Sequence, residues 1–257
     1  MIRVKSVGIT RKPLGVCIGC TALLLALTGT LFAWQIPKGC SIPKSTLSPD
    51  GRYGVIVPIW AQHEQLELQA NGNPVVEIKT GRVLGTIQTV FGDFGWDRMN
   101  WNEVAPCRWS ADGKSLLWRV KGKWSPEALV LIKIENGRII WQRDLLTLAQ
   151  QTALKRTKEA MPEKYQKARE QNVGNGAAYP DGFTIDVFTD DKRTGLLSFP
   201  VKIRANLTSV PKQNPDLIDV SSVLDASIDK DGKFFVTHFR IITKEKWAEI
   251  EESTDSE

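Results

Sequence analysis

The sequence predicts an α+β domain that is mainly antiparallel β, with a central helical segment and one N-terminal transmembrane or signal helix. Asp-Gly occurs four times after residue 40, and a β-rich run follows each occurrence. Two further hairpins are predicted at Gly-Arg, and the pattern becomes helical between residues 145 and 172. A chain of 257 residues has room for one larger domain or two small ones.

Residues 1–40 have the plan of a signal peptide or an N-terminal membrane anchor. Basic residues precede an uncharged run of 21 residues from Leu14 to Trp34, and about 20 apolar residues suffice to cross a bilayer. Cleavage after Ala33 meets only half of the small-residue rule, because Leu31 stands at the −3 position. The pattern favours the anchor, with a cleaved signal as the alternative, and in both cases the remaining chain is expected outside the cytoplasm, periplasmic or secreted.

The charge distribution excludes a nucleic-acid partner for the body of the protein. The net charge is +5, but five of the 34 basic residues lie in residues 1–40, which contain no acidic residue. Residues 41–257 therefore carry 29 basic and 29 acidic residues and are neutral, so they lack the positive footprint of phosphate binding. With 42% apolar and 25% charged residues, the chain is neither disordered nor polytopic.

The Asp-Gly pairs predict tight turns, because glycine adopts positive φ and aspartate can bond to its own turn. They lie in residues 48–53, 110–115, 179–183 and 229–234, and the strands predicted after them are Tyr53–Ile59, Leu116–Val120, Phe183–Phe188 and Phe234–Ile242. Three of these strands alternate in part. In two of them, alternation predicts common faces for Phe183, Ile185 and Val187, and for Phe235, Thr237, Phe239 and Ile241.

Two hairpins with a Gly-Arg turn are predicted at Val75–Gly85 and Leu129–Ile140. Together with the first two Asp-Gly turns they give a shared plan to the stretches 48–87 and 109–145. Each stretch has a Ser-x-Asp-Gly-basic turn, an apolar strand, a second apolar strand, a Gly-Arg turn and a further strand.

This plan resembles the repeat unit of TolB-like β-propellers, whose blades carry a Ser-Pro-Asp-Gly-basic turn and a later glycine turn. Residues 48–53 match the motif fully, whereas Ala111 replaces proline in residues 110–115. A propeller needs at least about four blades, and no further unit of this length occurs. The resemblance therefore implies two blade-like meanders that pack on another part of the chain, and it implies no functional residue.

The remaining organisation follows from composition. Leucine and alanine form a helical stripe after residue 144, and Pro162 divides the segment into helices at about 145–160 and 162–171. We expect residues 41–145 to form the blade-like meanders, 146–172 the helical segment, 173–243 a β segment packing in the same domain, and 244–257 an acidic tail that begins as a frayed helix.

Tryptophans give the only candidate binding residues. The stretch from residue 91 to 102 combines turn residues with four aromatic side chains, and long aromatic loops often carry function. Trp96 and Trp101, with Trp60, are candidates to stack on sugars or on a partner peptide. The alternative is that these tryptophans only cover the end of the sheet.

Cysteine use agrees with export. Cys17 and Cys20 lie in the apolar run, which leaves Cys40 and Cys107 as one candidate disulfide in an oxidising compartment. Two unbridged thiols are the equally open alternative. The acidic residues near 225–231 lack the calcium-loop register, because Ser227 and His238 would stand at its first and twelfth positions; they are interpreted as a hairpin turn.

No catalytic, metal or cofactor motif is recognised. The chain has two histidines, no Gly-x-Ser-x-Gly elbow and no phosphate-binding glycine loop. The sequence therefore favours a non-enzymatic extracytoplasmic protein that binds a protein or cell-envelope partner and reaches the membrane through its N-terminal helix. The alternative is an envelope glycan hydrolase or lyase that uses carboxylates near the Trp96/Trp101 loop.

Overall fold

The structure is a computed structural model that describes residues 34–59, 72–88, 103–104, 107–121, 126–171, 180–189, 195–209, 220–243 and 246. Residues Trp34–Glu257 form one compact unit. None of the helices in the described part has the length and apolar character needed to cross a membrane. The predicted N-terminal helix falls on residues outside that part.

Antiparallel strands and two helices make up the described residues, which confirms the α+β class. The strands are β1 (Cys40–Ser41), β2 (Tyr53–Val55), β3 (Val57–Pro58), β4 (Asn73–Glu77), β5 (Val83–Ile87), β6 (Glu103–Val104), β7 (Arg108–Trp109), β8 (Ser115–Lys121), β9 (Pro126–Glu135), β10 (Arg138–Asp144), β11 (Phe183–Thr189), β12 (Val201–Ser209), β13 (Ser221–Ile228) and β14 (Phe234–Ile241). The helices are α1 (Leu145–Ala160) and α2 (Pro162–Gln171).

These strands form three main antiparallel sheets. The first sheet has the order β2-β4-β5, the central sheet has the order β10-β9-β8-β6 with β7 also on β8, and the C-terminal sheet has the order β11-β12-β13-β14. Strands β1 and β3 form a small additional ladder. Each sheet is open, and none of the described sheets closes into a propeller.

Both faces of the central sheet are buried, because β8 and β9 carry apolar residues at consecutive positions and a strand points successive side chains to opposite faces. One face packs against the first sheet and the other against α1 and the C-terminal sheet. The residues toward the first sheet include Leu116, Trp118, Val130 and Ile132, and those toward α1 are Leu117, Leu129 and Leu131.

Aromatic residues join the first sheet to the central sheet. The rings of Tyr53 and Trp109 stack with centroids 6.2 Å apart. The indole nitrogen of Trp109 donates a hydrogen bond to the carbonyl oxygen of Thr46 over 3.0 Å. At the other side of the interface, Gln142 of β10 accepts from the backbone nitrogen of Gln88 over 2.9 Å.

Helix α1 fills the space between the central and C-terminal sheets. It begins where predicted because the carboxylate of Asp144 accepts a hydrogen bond from the backbone nitrogen of Thr147 over 3.0 Å, which caps the helix. Its buried stripe runs from Leu145 to Thr157, whose hydroxyl lies 2.7 Å from that of Ser222 on β13. Pro162 starts α2, so the predicted division into two helices is confirmed.

The first Asp-Gly turn is held by a side-chain network. The hydroxyl of Ser48 donates to the carboxylate of Asp50 over 2.6 Å and accepts from the backbone nitrogen of Tyr53 over 2.9 Å. Asp50 also accepts from the backbone nitrogen of Arg52 over 3.0 Å. Gly51 has a φ of 67°, a conformation that glycine adopts without strain.

The second turn repeats this network atom for atom. The hydroxyl of Ser110 donates to Asp112 over 2.6 Å and accepts from the backbone nitrogen of Ser115 over 2.8 Å. The two turns are neighbours, because a Cβ built on Gly113 would lie 3.8 Å from a carboxylate oxygen of Asp50. The similarity of the two sequence stretches therefore extends to their hydrogen bonds.

The prediction that Phe235, Thr237, Phe239 and Ile241 share one face of β14 is wrong. A β-bulge between Val236 and His238 shifts the register of β14 on β13, and a bulged residue reverses the alternation of the strand. As a result Phe239 packs against the core whereas Phe235 points outward and is 40% exposed. The predicted common face of Phe183, Ile185 and Val187 on β11 is confirmed, since all three are buried in the core.

Replacing either turn serine by alanine is expected to lower the free energy of unfolding by about 1–3 kcal/mol, because a buried backbone N–H loses its acceptor. The variants Ser48→Ala and Ser110→Ala are compared by urea unfolding followed by tryptophan fluorescence. Ser45→Ala, at an exposed serine of the same region, is the control and should change the value by less than about 0.5 kcal/mol. If Ser110→Ala and the control had equal free energies of unfolding, the hydrogen-bond network of the turn would not stabilise the fold as described.

Candidate functional site

The tryptophans predicted to bind a partner, Trp60, Trp96 and Trp101, lie outside the described residues. Their binding role stays a prediction. The carboxylates that the rival glycan-cleaving function requires beside that loop fall in the same undescribed stretch.

Cys40 and Cys107 are thiols in the structure. Cys40 packs with Ile56 and Val76 in a small cluster, whereas Cys107 packs beside the core between the first and central sheets. Burial raises the pKa of the Cys107 thiol far above its ordinary value, against a smaller lowering by the charge of Arg119. The predicted disulfide is not formed in the structure, and it remains a prediction for an oxidising compartment.

The C-terminal sheet has two faces of different character. Its inner face packs on α1, and its outer face carries the alternate residues of all four strands. Cross-strand pairing arranges these outer side chains in rows, and two of the rows cross all four strands. The first row is Phe188, Arg204, Asp225 and His238; the second is Asp186, Asn206, Val223 and Arg240.

A charge triplet lies at the centre of this outer face. The carboxylate of Asp225 accepts from Arg204 Nε over 2.7 Å and from Arg240 Nη1 over 3.0 Å. Burial of Asp225 raises its pKa, but the hydrogen bond and charge of Arg204, followed by those of Arg240, lower the pKa more, so it lies below its usual range. The triplet keeps two guanidinium groups oriented at the surface with one net positive charge.

Two phenylalanines flank the triplet at opposite edges of the sheet. Phe188 on β11 is 50% exposed and Phe235 on β14 is 40% exposed. The ammonium group of Lys233 lies 4.9 Å from the centre of the Phe235 ring, a cation–π distance. Exposed aromatic rings beside oriented arginines are the composition that protein interfaces favour.

Strand β14 is an edge of the C-terminal sheet among the described strands. It is eight residues long, and Phe235, Thr237 and His238 are exposed along it. An edge strand of this length can accept an added strand from a partner. The bulge and the basic residues Lys233 and Arg240 are features that limit indiscriminate edge pairing.

The second row is less exposed than the first. Val223 is 1% exposed although it points away from α1. Burial raises the pKa of the Asp186 carboxyl above its ordinary value. Within the described part, the buried Oδ1 atom of Asn206, opposite Asp186, has no hydrogen-bond partner.

Most other described aspartates hold local structure. Asp50 and Asp112 close the serine turns, and the hydrogen bonds from the serine hydroxyls lower the pKa of both carboxyls. Asp229 accepts from the backbone nitrogens of residues 231 and 233, over 2.9 Å each, so Asp229 and Asp231 belong to the predicted hairpin turn, whereas Asp225 of the same acidic cluster lies on β13 in the charge triplet. Asp181 accepts from the hydroxyl of Tyr165 over 2.7 Å. The described residues contain no group of three or more His, Cys, Asp or Glu side chains placed to hold a metal ion.

The charge triplet was not predicted from the sequence. Lys202 and Arg204 do alternate with buried residues in β12, and this pattern marks an outward-facing basic side. The pairing of Arg204 and Arg240 with one carboxylate depends on the register of three strands, which the sequence does not specify.

Comparison with protein-family models finds no match to this chain, and comparison with curated proteins finds no similar sequence.

Two isosteric variants are expected to change stability in opposite directions. The folded-state pKa of Asp225 is depressed, so its stabilising contribution is present above the unfolded pKa of about 3.9 and is lost as pH falls through the folded value. Asp225→Asn should therefore be less stable than the parent at pH 7. The folded-state pKa of Asp186 is raised, so its ionisation destabilises the fold as pH rises through that value, and Asp186→Asn should be more stable at pH 7.

Both differences should shrink on acidification, when the carboxyl groups of the parent become neutral. Urea unfolding of the parent and the two variants between pH 7 and acidic pH measures the free energies. If both variants were more stable than the parent at pH 7, or both less stable, the environments assigned to Asp225 and Asp186 would be contradicted.

Proposed function

We propose that the chain is a non-enzymatic extracytoplasmic protein whose C-terminal sheet binds a protein partner of the cell envelope. The observation that carries the proposal is the exposed first row on the outer face, which runs across the sheet from Phe188 on β11 through Arg204 to His238 on the edge strand β14. Aromatic and arginine side chains supply most binding energy at protein interfaces. Partner contact across this face would bury Phe188 of the row and also Phe235 of β14, both of which are exposed in the isolated chain.

The triplet supports this function in a second way. Asp225 orients Arg204 and Arg240 before any partner arrives, and side chains that are already ordered lose less conformational entropy on binding. Carboxylates of a partner would find oriented guanidinium donors, which favour two-pronged hydrogen bonding. The expected partner surface therefore combines an apolar contact for the phenylalanines with acidic residues for the arginines.

The sequence supports the location and the architecture that this function requires. The basic start and uncharged run of residues 3–34 favour an N-terminal membrane anchor, with cleavage of a signal as the alternative. The paired serine turns support the resemblance of residues 48–87 and 109–145 to propeller blades. In this proposal the two blade-like units are a scaffold, and the Trp96/Trp101 loop and Trp60 remain a second candidate contact surface.

Cross-linking of tagged full-length protein in its native envelope, followed by affinity capture, tests the proposal. We expect a stoichiometric partner that is lost in the double variant Phe188→Ser/Phe235→Ser. Ile140→Ser is the matched control, because Ile140 is 49% exposed but lies on β10 of another sheet; this variant should retain the partner.

Retention of the partner by the double variant would contradict binding through the C-terminal sheet. A loss that occurs only when Trp96 and Trp101 are replaced by Gly-Ser would assign binding to that loop instead. Absence of any partner, together with retention on envelope glycans, would favour the glycan-directed alternative.

A further inference from the structure

Trp34, the first described residue, is packed on the hairpin formed by β4 and β5. Its indole ring lies against Gly81 in the turn of this hairpin, where a Cβ built on the glycine would overlap the ring. Gly81 has a φ of 71°, which glycine adopts without strain. Trp34 also packs against the small cluster of Cys40, Ile56 and Val76. The start of the described chain is therefore fixed to the turn between β4 and β5.

Trp34 is also the last residue of the uncharged run that begins at Leu14. If that run crosses a bilayer, as the sequence favours, no spacer separates the membrane segment from the residue that is packed on the hairpin. Consecutive Cα atoms are only about 3.8 Å apart. The anchor then brings the β4–β5 turn to the membrane surface, where the phospholipid headgroups lie.

The charge exposed around this turn is positive. Arg52 Nε lies 3.2 Å and Arg82 Nη2 lies 3.4 Å from carboxylate oxygens of Glu77. The two arginine side chains are 55% and 52% exposed, whereas that of Glu77 is 14% exposed. Lys79 is an exposed cation in the turn, and the exposed Asp50 of the adjoining serine turn offsets one charge. These five side chains together keep a net positive charge.

Apolar side chains are exposed close to the Trp34 contact. Val83, two residues after Gly81, is 56% exposed, and Ile36, two residues after Trp34, is 41% exposed. Val83 is the most exposed of the large hydrophobic residues in the described part of the chain. Exposed apolar side chains interspersed with lysine and arginine are typical of surfaces that lie at the interface of a bilayer with anionic lipids.

We propose that the turn of the β4–β5 hairpin docks on the phospholipid headgroups of the membrane that holds the N-terminal anchor. Val83 and Ile36 enter the headgroup region. The two arginines paired with Glu77, together with Lys79, donate hydrogen bonds to phosphate oxygens. This inference rests on the membrane anchor of the proposed function but not on its protein partner, and docking fixes how the domain is held at the membrane surface.

Fluorescence quenching by phospholipids with a nitroxide headgroup measures the docking. Full-length protein carrying Cys17→Ala/Cys20→Ala is reconstituted into phosphatidylcholine vesicles, with or without the anionic phosphatidylglycerol. A bimane label is attached at Val83→Cys. The same chain without the added cysteine is the blank for labelling of the remaining native thiols.

Phe188→Cys is the matched control position. Phe188 is 50% exposed, and the hydroxyl of the adjacent Thr189 accepts a hydrogen bond from Arg119 of β8 over 3.3 Å. Arg119 pairs with β9 about 20 Å before the turn that joins β9 to β10. A Cβ built on Gly137 in that turn would meet the guanidinium group of Arg82, so the β4–β5 turn lies beside it. The control label is therefore distant from the proposed docking surface.

In anionic vesicles we expect quenching at position 83 to exceed quenching at position 188 by at least about threefold, and removal of the anionic lipid should reduce the ratio. The added change Lys79→Glu/Arg82→Glu should reduce it as well, because the reversed charges are repelled by the headgroups. Lys155→Glu/Arg156→Glu makes the same change in charge on α1, where the side chains are 76% and 51% exposed. This control should leave the ratio unchanged.

Two results would overturn the proposal in distinguishable ways. Protein that does not float with the vesicles in a density gradient would contradict the membrane anchor of the proposed function, and the docking with it. Protein that floats with the vesicles but is quenched equally at positions 83 and 188 would overturn the docking alone. A ratio that falls equally with both pairs of charge reversals would also overturn the docking alone.

Discussion

Burial of both faces of the central sheet is the constraint on which the rest of the structure depends. Strands β8 and β9 place leucine, isoleucine, valine and tryptophan at consecutive positions, so neither face can be left to solvent without a large cost in hydrophobic free energy. The first sheet covers one face, and α1 with the C-terminal sheet covers the other. The two halves of the chain are thus joined through the side chains of two strands.

This arrangement explains why the C-terminal sheet has an outer face available. Its inner residues pack against α1 and the central sheet, and the hydroxyl of Thr157 on α1 forms a hydrogen bond with that of Ser222 on β13. The side facing away from the core then carries the charge triplet, the exposed phenylalanines and the covered patch around Val223. In the proposed function, the scaffold holds this face toward the partner.

Local features of the sequence predicted local structure well. The helix bounds follow from the Asp144 cap and from Pro162, and the hairpins follow from glycine turns, because these residues act through neighbouring backbone atoms. The bulge near Thr237 could not be predicted, since it depends on the pairing of β14 with β13. The same non-local pairing brings Arg204, Asp225 and Arg240 together, so the candidate site was missed while its strands were foreseen in part.

Native-state hydrogen exchange, measured as a function of denaturant concentration, tests whether the central sheet joins the two halves of the chain. If the central sheet joins both halves, the amides of Leu117 and Leu131 exchange only through global unfolding, and those of Val75 on β4 and Ala205 on β12 converge on the same unfolding free energy. Protection of the C-terminal sheet that persists after β8 and β9 have exchanged would show that the halves fold independently, and it would contradict the account.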